Sequence, residues 1–266
     1  EVEQLFQCTP NLKHQTFLMT LYSAGLRFSE AAHLQISHVD SQRIMIHVAA
    51  GKGDAPALIY ESPVTETRRT WSFAGLQREV SRTAGMLTAE GAKAGDRIMI
   101  YMPMIPQAIF AMLACARMGL VHSVVFGGFS AAELAKRVDD CEPVLVLTAS
   151  CGIEGAKVIA YKPIVDDALS RAMHKVPRVI LWQREQCEAA IEAPRDLDWQ
   201  RAYDAADLTD CVPLPAQHPL YILYTSGTTG KPKGVVREAG GYGVALAWSM
   251  SNIYGLAPGE TYRAAS

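Results

Sequence analysis

The chain has 266 residues, 25 basic against 27 acidic, for a formal net charge of −2. Hydrophobic residues make up 49% and charged residues 20%, which supplies a core and excludes disorder as the main state. The near-neutral balance gives no global attraction to nucleic acid or an anionic membrane.

The cysteines at 8, 115, 141, 151, 187 and 211 form no C-x-x-C pair and no Cys/His cluster. No metal site is expected, and reduced thiols in a cytoplasmic chain are the expected state. Glu1 and Glu3 open the chain without a secretory pattern, and the first residue is not Met, so a fragment is expected.

Residues 1–53 read as helices at 2–6, 15–24 and 29–34, then a strand at 44–48 and a Gly51-Lys-Gly53 turn. From residue 54 the pattern changes to alternating strands and helices. A strand at 57–61 precedes a helix capped by Ser72 and running to about residue 90, with Leu76, Val80, Ala84 and Leu87 on one face. Residues 98–116 carry no charge and are long enough to span a bilayer. Pro103 and Pro106 argue against a membrane helix and divide the stretch into a strand at 98–102 and a helix at 107–118.

A β-branched run at 121–126 predicts a strand buried on both faces. Ser130-Ala-Ala-Glu133 predicts a capping box for a helix ending near Cys141, with a strand following at 144–148. Helix 164–174 and strand 176–182 repeat the pattern, and residues 183–217 are less regular. A strand at 220–224, a Gly/Thr/Lys loop and a helix near 242–254 close the chain. The alternation predicts an α/β fold with an open, mostly parallel sheet.

The chemistry concentrates in Ile222-Leu-Tyr-Thr-Ser-Gly-Thr-Thr-Gly-Lys-Pro-Lys-Gly234. A strand delivers the chain to a loop in which Gly227, Gly230 and Gly234 allow close backbone approach to phosphate oxygens. Thr225, Ser226, Thr228 and Thr229 add hydroxyl donors, and Lys231 and Lys233 add positive charge. It is not a Walker A loop, because Thr225 stands where the first glycine would be and Pro232 replaces the Ser/Thr.

This string resembles the signature loop of the adenylate-forming enzymes, the acyl-CoA synthetase, luciferase and peptide-synthetase superfamily. Residues 54–266 resemble the N-terminal part of a propionyl- or acetyl-CoA synthetase, through Ala55-Pro-Ala-Leu-Ile-Tyr60, Tyr101-Met-Pro-Met-Ile-Pro106, Val121-His-Ser-Val-Val-Phe-Gly-Gly-Phe-Ser130, Tyr161-Lys-Pro163 and Trp248-Ser-Met250. Ala149-Ser-Cys-Gly-Ile-Glu154 resembles the propionate branch. The resemblance implies a partial adenylate-forming N-terminal domain that uses ATP, Mg2+ and CoA. A carboxylate, propionate or acetate, attacks ATP to give an acyl-adenylate, and CoA then displaces AMP.

By this resemblance Thr225, Ser226, Gly227, Thr228, Thr229, Gly230, Lys231, Lys233 and Gly234 handle the ATP phosphates. Gly127 and Gly128 are either part of a CoA site or a plain strand-to-helix turn. The family's arginine after the strand near Thr148 is replaced by Gly152-Ile-Glu-Gly155, so that contact does not carry over. His122 reads as a satisfied histidine, Cys151 as no nucleophile, and Trp248, Met250 and Tyr254 as helix packing. The family's adenine, ribose and Mg2+ contacts and its adenylation lysine fall beyond residue 266, so the chain is expected not to make acyl-CoA alone and to self-associate through exposed apolar surface.

Residues 1–53 resemble a fragment of a tyrosine recombinase, or phage integrase, through Thr9-Pro-Asn-Leu-Lys-His14, Leu21-Tyr-Ser-Ala-Gly-Leu-Arg-Phe-Ser-Glu30 and Val39-Asp-Ser-Gln-Arg43. That resemblance implies a phosphate-gripping Arg27, a supporting Glu30 and a hairpin acid Lys52, all expected to be vestigial without a His-x-x-Arg or a tyrosine nucleophile. A short helical recombinase-like segment therefore precedes the α/β domain, with a boundary near residue 53. The alternatives are a DNA-binding integrase remnant and a non-catalytic nucleotide-binding pseudo-enzyme; DNA is not the expected partner.

Overall fold

The structure, a computed structural model, describes residues 39–40, 45–46, 53–225, 232–257 and 260–262. Two compact units emerge, Gly53–Val212 with Pro219–Arg237 and a second holding Pro213–His218, Glu238 onward and the residues before 53.

In the second unit, strands β1 (Val39–Asp40) and β2 (Met45–Ile46) pair antiparallel. Strands β3 (Pro56–Ser62) and β4 (Thr67–Ser72) make an antiparallel hairpin that leads into helix α1 (Phe73–Ala89). Ser72 caps α1 as expected, its Oγ accepting from the Gly75 amide at 3.1 Å. Strand β5 (Arg97–Tyr101) is followed by helix α2 (Pro106–Met118), which starts on a proline and stops at Gly119 with φ 69°. Both ends follow from the residues: proline lacks only a donor the first turn does not use, and glycine takes the left-handed conformation freely.

Strand β6 (Val121–Val124) leads into helix α3 (Ala131–Cys141). Here the capping box is only half formed. The Ser130 hydroxyl accepts from the Glu133 amide at 3.4 Å, but the Glu133 carboxylate turns to Lys136 and Arg137, at 2.6 and 3.1 Å. Charge-assisted pairing outcompetes the return bond to a neutral amide.

Strand β7 (Leu145–Ala149), the hairpin β8 (Cys151–Glu154) and β9 (Lys157–Ala160), helix α4 (Lys162–Arg171) and strand β10 (Arg178–Trp182) come next. The stretch expected to be irregular holds β11 (Asp196–Asp198) and helix α5 (Trp199–Asp204). Strands β12 (Pro219–Thr225) and β13 (Lys233–Glu238) complete the sheet, and helix α6 (Ala239–Asn252) belongs to the second unit.

The seven-stranded sheet runs β11-β10-β7-β5-β6-β12-β13, and every pairing from β11 across to β12 is parallel. Its two faces carry separate cores, as period-two alternation requires. Ile98, Ile100, Leu145, Leu147 and Ile180 face α1, α2 and Trp199 of α5. Met99, Tyr101, Val146 and Val179 face α3 and α4. Among the described residues no helix is long and apolar enough to cross a membrane.

In the second unit the amides of Ala239 and Gly240 donate to the carbonyls of His218 and Ala216, at 2.9 and 2.8 Å, which anchors the start of α6. The helix-packing expectation for Trp248, Met250 and Tyr254 is corrected. All three are exposed, and among the described residues Tyr254 meets Tyr262, ring centroids 5.1 Å apart.

Candidate nucleotide-handling edge

Strands β6 and β12 are parallel neighbours, with Tyr221 opposite His122. The turn after β6 and the loop after β12 therefore leave the sheet at the same carboxyl edge, the usual place for ligands in open α/β sheets. Thr225 is the last residue of β12, and its hydroxyl lies 3.5 Å from the Lys233 carbonyl. Ser226, Gly227, Thr228, Thr229, Gly230 and Lys231 lie outside the described residues. Lys233 and Gly234, read from the sequence as loop, open strand β13 instead, because Val235-Val236 extends the chain beside β12. Arg27, Glu30 and Lys52 also lie outside the described residues.

The Gly127-Gly128 turn is held by Tyr101 and Tyr161, which stand in two of the resembling segments but receive no role from the sequence. The Tyr101 hydroxyl, pushed up to about 12 by burial and by nearby Tyr161 and Glu154, donates to the carbonyls of Gly127 and Phe129 at 2.9 and 3.1 Å. The Tyr161 ring packs 4.9 Å from that of Tyr101. A Cβ at Gly127 would lie 1.9 Å from the Tyr161 hydroxyl, and one at Gly152 would lie 2.5 Å from it. Both glycines make room for one ring. Substituting Gly127→Ala is expected to cost about 1–3 kcal/mol by overpacking, read as a lowered urea midpoint; an unchanged midpoint would show that Tyr161 moves freely.

A dense ionic cluster lies between α4 and β11. The Lys162 ammonium, 4% exposed, stands 2.6 Å from Asp166 and 2.8 Å from Asp196, whose side chain is fully buried. Arg195 bonds the same two carboxylates at 2.6 Å each and reaches Glu192 at 3.3 Å. Burial of Asp196 opposes ionisation, but bonds from Arg195 and Lys162 outweigh it and hold its pKa low. Asp166, Glu192 and Asp196 come close enough to suggest a metal site, yet two cations already occupy their oxygens.

His122 is corrected. It is not satisfied: its ring is buried, Nδ1 has no partner, and burial pulls its pKa down to about 4. It is therefore neutral at neutral pH. Cys151 is fully buried, and burial raises its thiol pKa, which fits its reading as no nucleophile.

A parallel sheet covered on both faces, with its connecting turns on one carboxyl edge, defines an open α/β domain. The profile of AMP-binding enzymes matches residues 46–265, and the chain belongs to that family. It is 52% identical over 221 residues to human "Acyl-CoA synthetase short-chain family member 3, mitochondrial", covering 83% of this chain and 32% of that protein. It is 46% identical over 215 residues to "Propionate--CoA ligase" of Escherichia coli, covering 80% and 34%. Among solved structures, acetoacetyl-CoA synthetase from Streptomyces lividans superposes with a TM-score of 0.70 at 32% identity, over 78% of this chain and 31% of that one. The chain thus spans about a third of the length of these relatives. These likenesses carry the adenylate-forming resemblance and lend no support to the recombinase-like one.

Proposed function

We propose that residues 54–266 form the phosphate-handling part of a short-chain acyl-CoA ligase, acting on propionate or acetate with ATP, Mg2+ and CoA. One observation carries this reading: the Thr225–Gly234 string departs from a parallel strand at the ligand-bearing edge of an AMP-binding fold. The hydroxyls of Thr225, Ser226, Thr228 and Thr229 and the ammonium groups of Lys231 and Lys233 would hold the β- and γ-phosphates. Their charge would favour the pyrophosphate that leaves when a carboxylate attacks the α-phosphate. Magnesium supplies further neutralisation when bound; the acidic cluster at Asp166 is not its site, because Lys162 and Arg195 fill it.

For CoA, the fit of this edge is weaker. Gly127 is explained by Tyr161, and the β8–β9 hairpin presents Glu154 where the resemblance implies an arginine. An acid there repels a phosphate, so Gly127 and Gly128 are read as a structural turn.

Calorimetric titration of the purified chain with Mg-ATP tests the reading. Saturable binding is expected, with no thioester formed from propionate, ATP and CoA, since the chain spans about a third of its relatives. Absence of Mg-ATP binding by a folded chain would refute nucleotide handling; robust thioester formation would refute its dependence on further parts.

A further inference from the structure

Tyr224, one residue before the end of β12, is where three contacts meet. Its hydroxyl donates to the Asp140 carboxylate of helix α3 at 2.5 Å. The Arg137 guanidinium, one helical turn earlier, stands 5.6 Å from the ring centroid. On β13, a Cβ built on Gly234 would lie 3.2 Å from the same ring, so the backbone beyond the loop runs directly against it.

Arg137 is itself immobilised. It is 6% exposed, and its Nη1 donates to the Glu133 carbonyl at 2.7 Å and to the Glu133 carboxylate at 3.1 Å. Its guanidinium covers the Phe129 ring at 4.2 Å, and the Phe129 carbonyl in turn accepts from Tyr101. A continuous set of side chains therefore runs from the glycine turn after β6, through Phe129 and Arg137, to the two strand ends that flank the phosphate loop.

We propose that Tyr224 is a positioning residue: anchored by Asp140 and covered by Arg137, it fixes the strand ends on either side of the phosphate loop and links them to the Gly127-Gly128 turn. Phenylalanine would pack as well against Gly234 and Arg137, so the hydroxyl serves the bond to Asp140. An ionised acceptor makes that bond stronger than a neutral pair. Restraining the loop's ends before a ligand arrives removes part of the ordering cost of binding. The effect on ATP affinity rests on the phosphate-loop reading above, whereas the restraint itself does not.

The experiment compares the wild-type chain with Tyr224→Phe, Asp140→Ala, Asp140→Asn and the Tyr224→Phe, Asp140→Ala double variant. Hydrogen exchange is measured without ligand, then Mg-ATP is titrated. Exchange in peptides spanning 221–236 is expected to accelerate about tenfold in Tyr224→Phe and Asp140→Ala, the size of a lost bond to a charged group. Peptides from α1 and α2 should not change. Asp140→Asn keeps an acceptor and should restore most of the protection, and the double variant should match the single ones because both remove one bond. The Mg-ATP Kd should rise about tenfold in the same two single variants.

Unchanged exchange at 221–236, uniform acceleration across the chain, or additive effects in the double variant would each overturn the proposal. Should exchange follow the expected pattern while the wild type ignores Mg-ATP, the restraint stands and the nucleotide reading falls. Should the wild type bind Mg-ATP while Tyr224→Phe matches it in exchange, the reading stands and the restraint falls.

Discussion

The Lys231→Ala, Lys233→Ala double variant is expected to lose Mg-ATP affinity by at least about a hundredfold. A hydrogen bond to a charged group contributes about 1.5–3 kcal/mol, and removing two such donors from a triphosphate exceeds the roughly 2.7 kcal/mol that a hundredfold represents. Stability should hardly move. Lys233 is exposed at the start of β13 and makes no ion pair among the described residues, so its loss removes no packing. Parallel calorimetry and thermal melts check both parts. Retained binding would place the phosphates elsewhere on the domain; a collapsed melting midpoint would make the loss uninformative about the loop, and single variants would then replace the double one.

The Lys162→Met variant is expected to destabilise the first unit by about 3–5 kcal/mol at neutral pH, because it leaves the buried Asp196 carboxylate and the partly exposed Asp166 with one cation instead of two. Methionine fills similar volume, which isolates the charge. The pH dependence has a definite sign. The folded-state pKa of Asp196 is held low, so its ionic bonds stabilise the fold above the ordinary carboxylate range. That contribution fades as pH falls through the folded value. Without Lys162 the carboxylates protonate more readily, so the gap between variant and wild type should narrow from pH 7 to pH 4. Urea denaturation at both pH values measures it. A loss below about 1 kcal/mol would class the cluster with surface pairs.

Much of the domain was legible because its signals are local. Ser72 caps α1 where a serine before an amphipathic run predicts a cap, and Gly119 ends α2 within one residue of its expected end. The apolar runs at β5, β7 and β10 are strands with buried centres. The run at 121–126, expected to be buried on both faces, is a strand only to Val124, with Val124 and Phe126 exposed. The uncharged stretch at 98–116 divides at its prolines into β5 and α2. The elements that escaped sequence reading are those without such signals. Strand β4 is Thr-Arg-Arg-Thr-Trp-Ser, half of it exposed and none of it buried, and paired with its hairpin partner β3. Strand β11 is three residues long, made a strand by pairing with β10, and β13 begins inside what reads as a glycine-rich loop.

The site divides in the same way. The sequence alone determined that a hydroxyl- and lysine-rich segment follows strand β12, since residue type and order state that chemistry without reference to the rest of the chain. It also determined the repeated strand–helix alternation, because hydrophobic period is a local property. Only the tertiary structure decided why Gly127 is a glycine, by setting Tyr161 from beyond the β8–β9 hairpin against it. Only the tertiary structure turned Asp166, Glu192 and Asp196 from an apparent ligand set into an ion-pair network, and left His122 buried without a partner at Nδ1. The physical reason is common to all three: burial and pairing depend on which residues the sheet brings together across tens of positions. Tyr224 and Asp140 show it most plainly, two ordinary residues in sequence that become a single restraint once β12 lies beside helix α3.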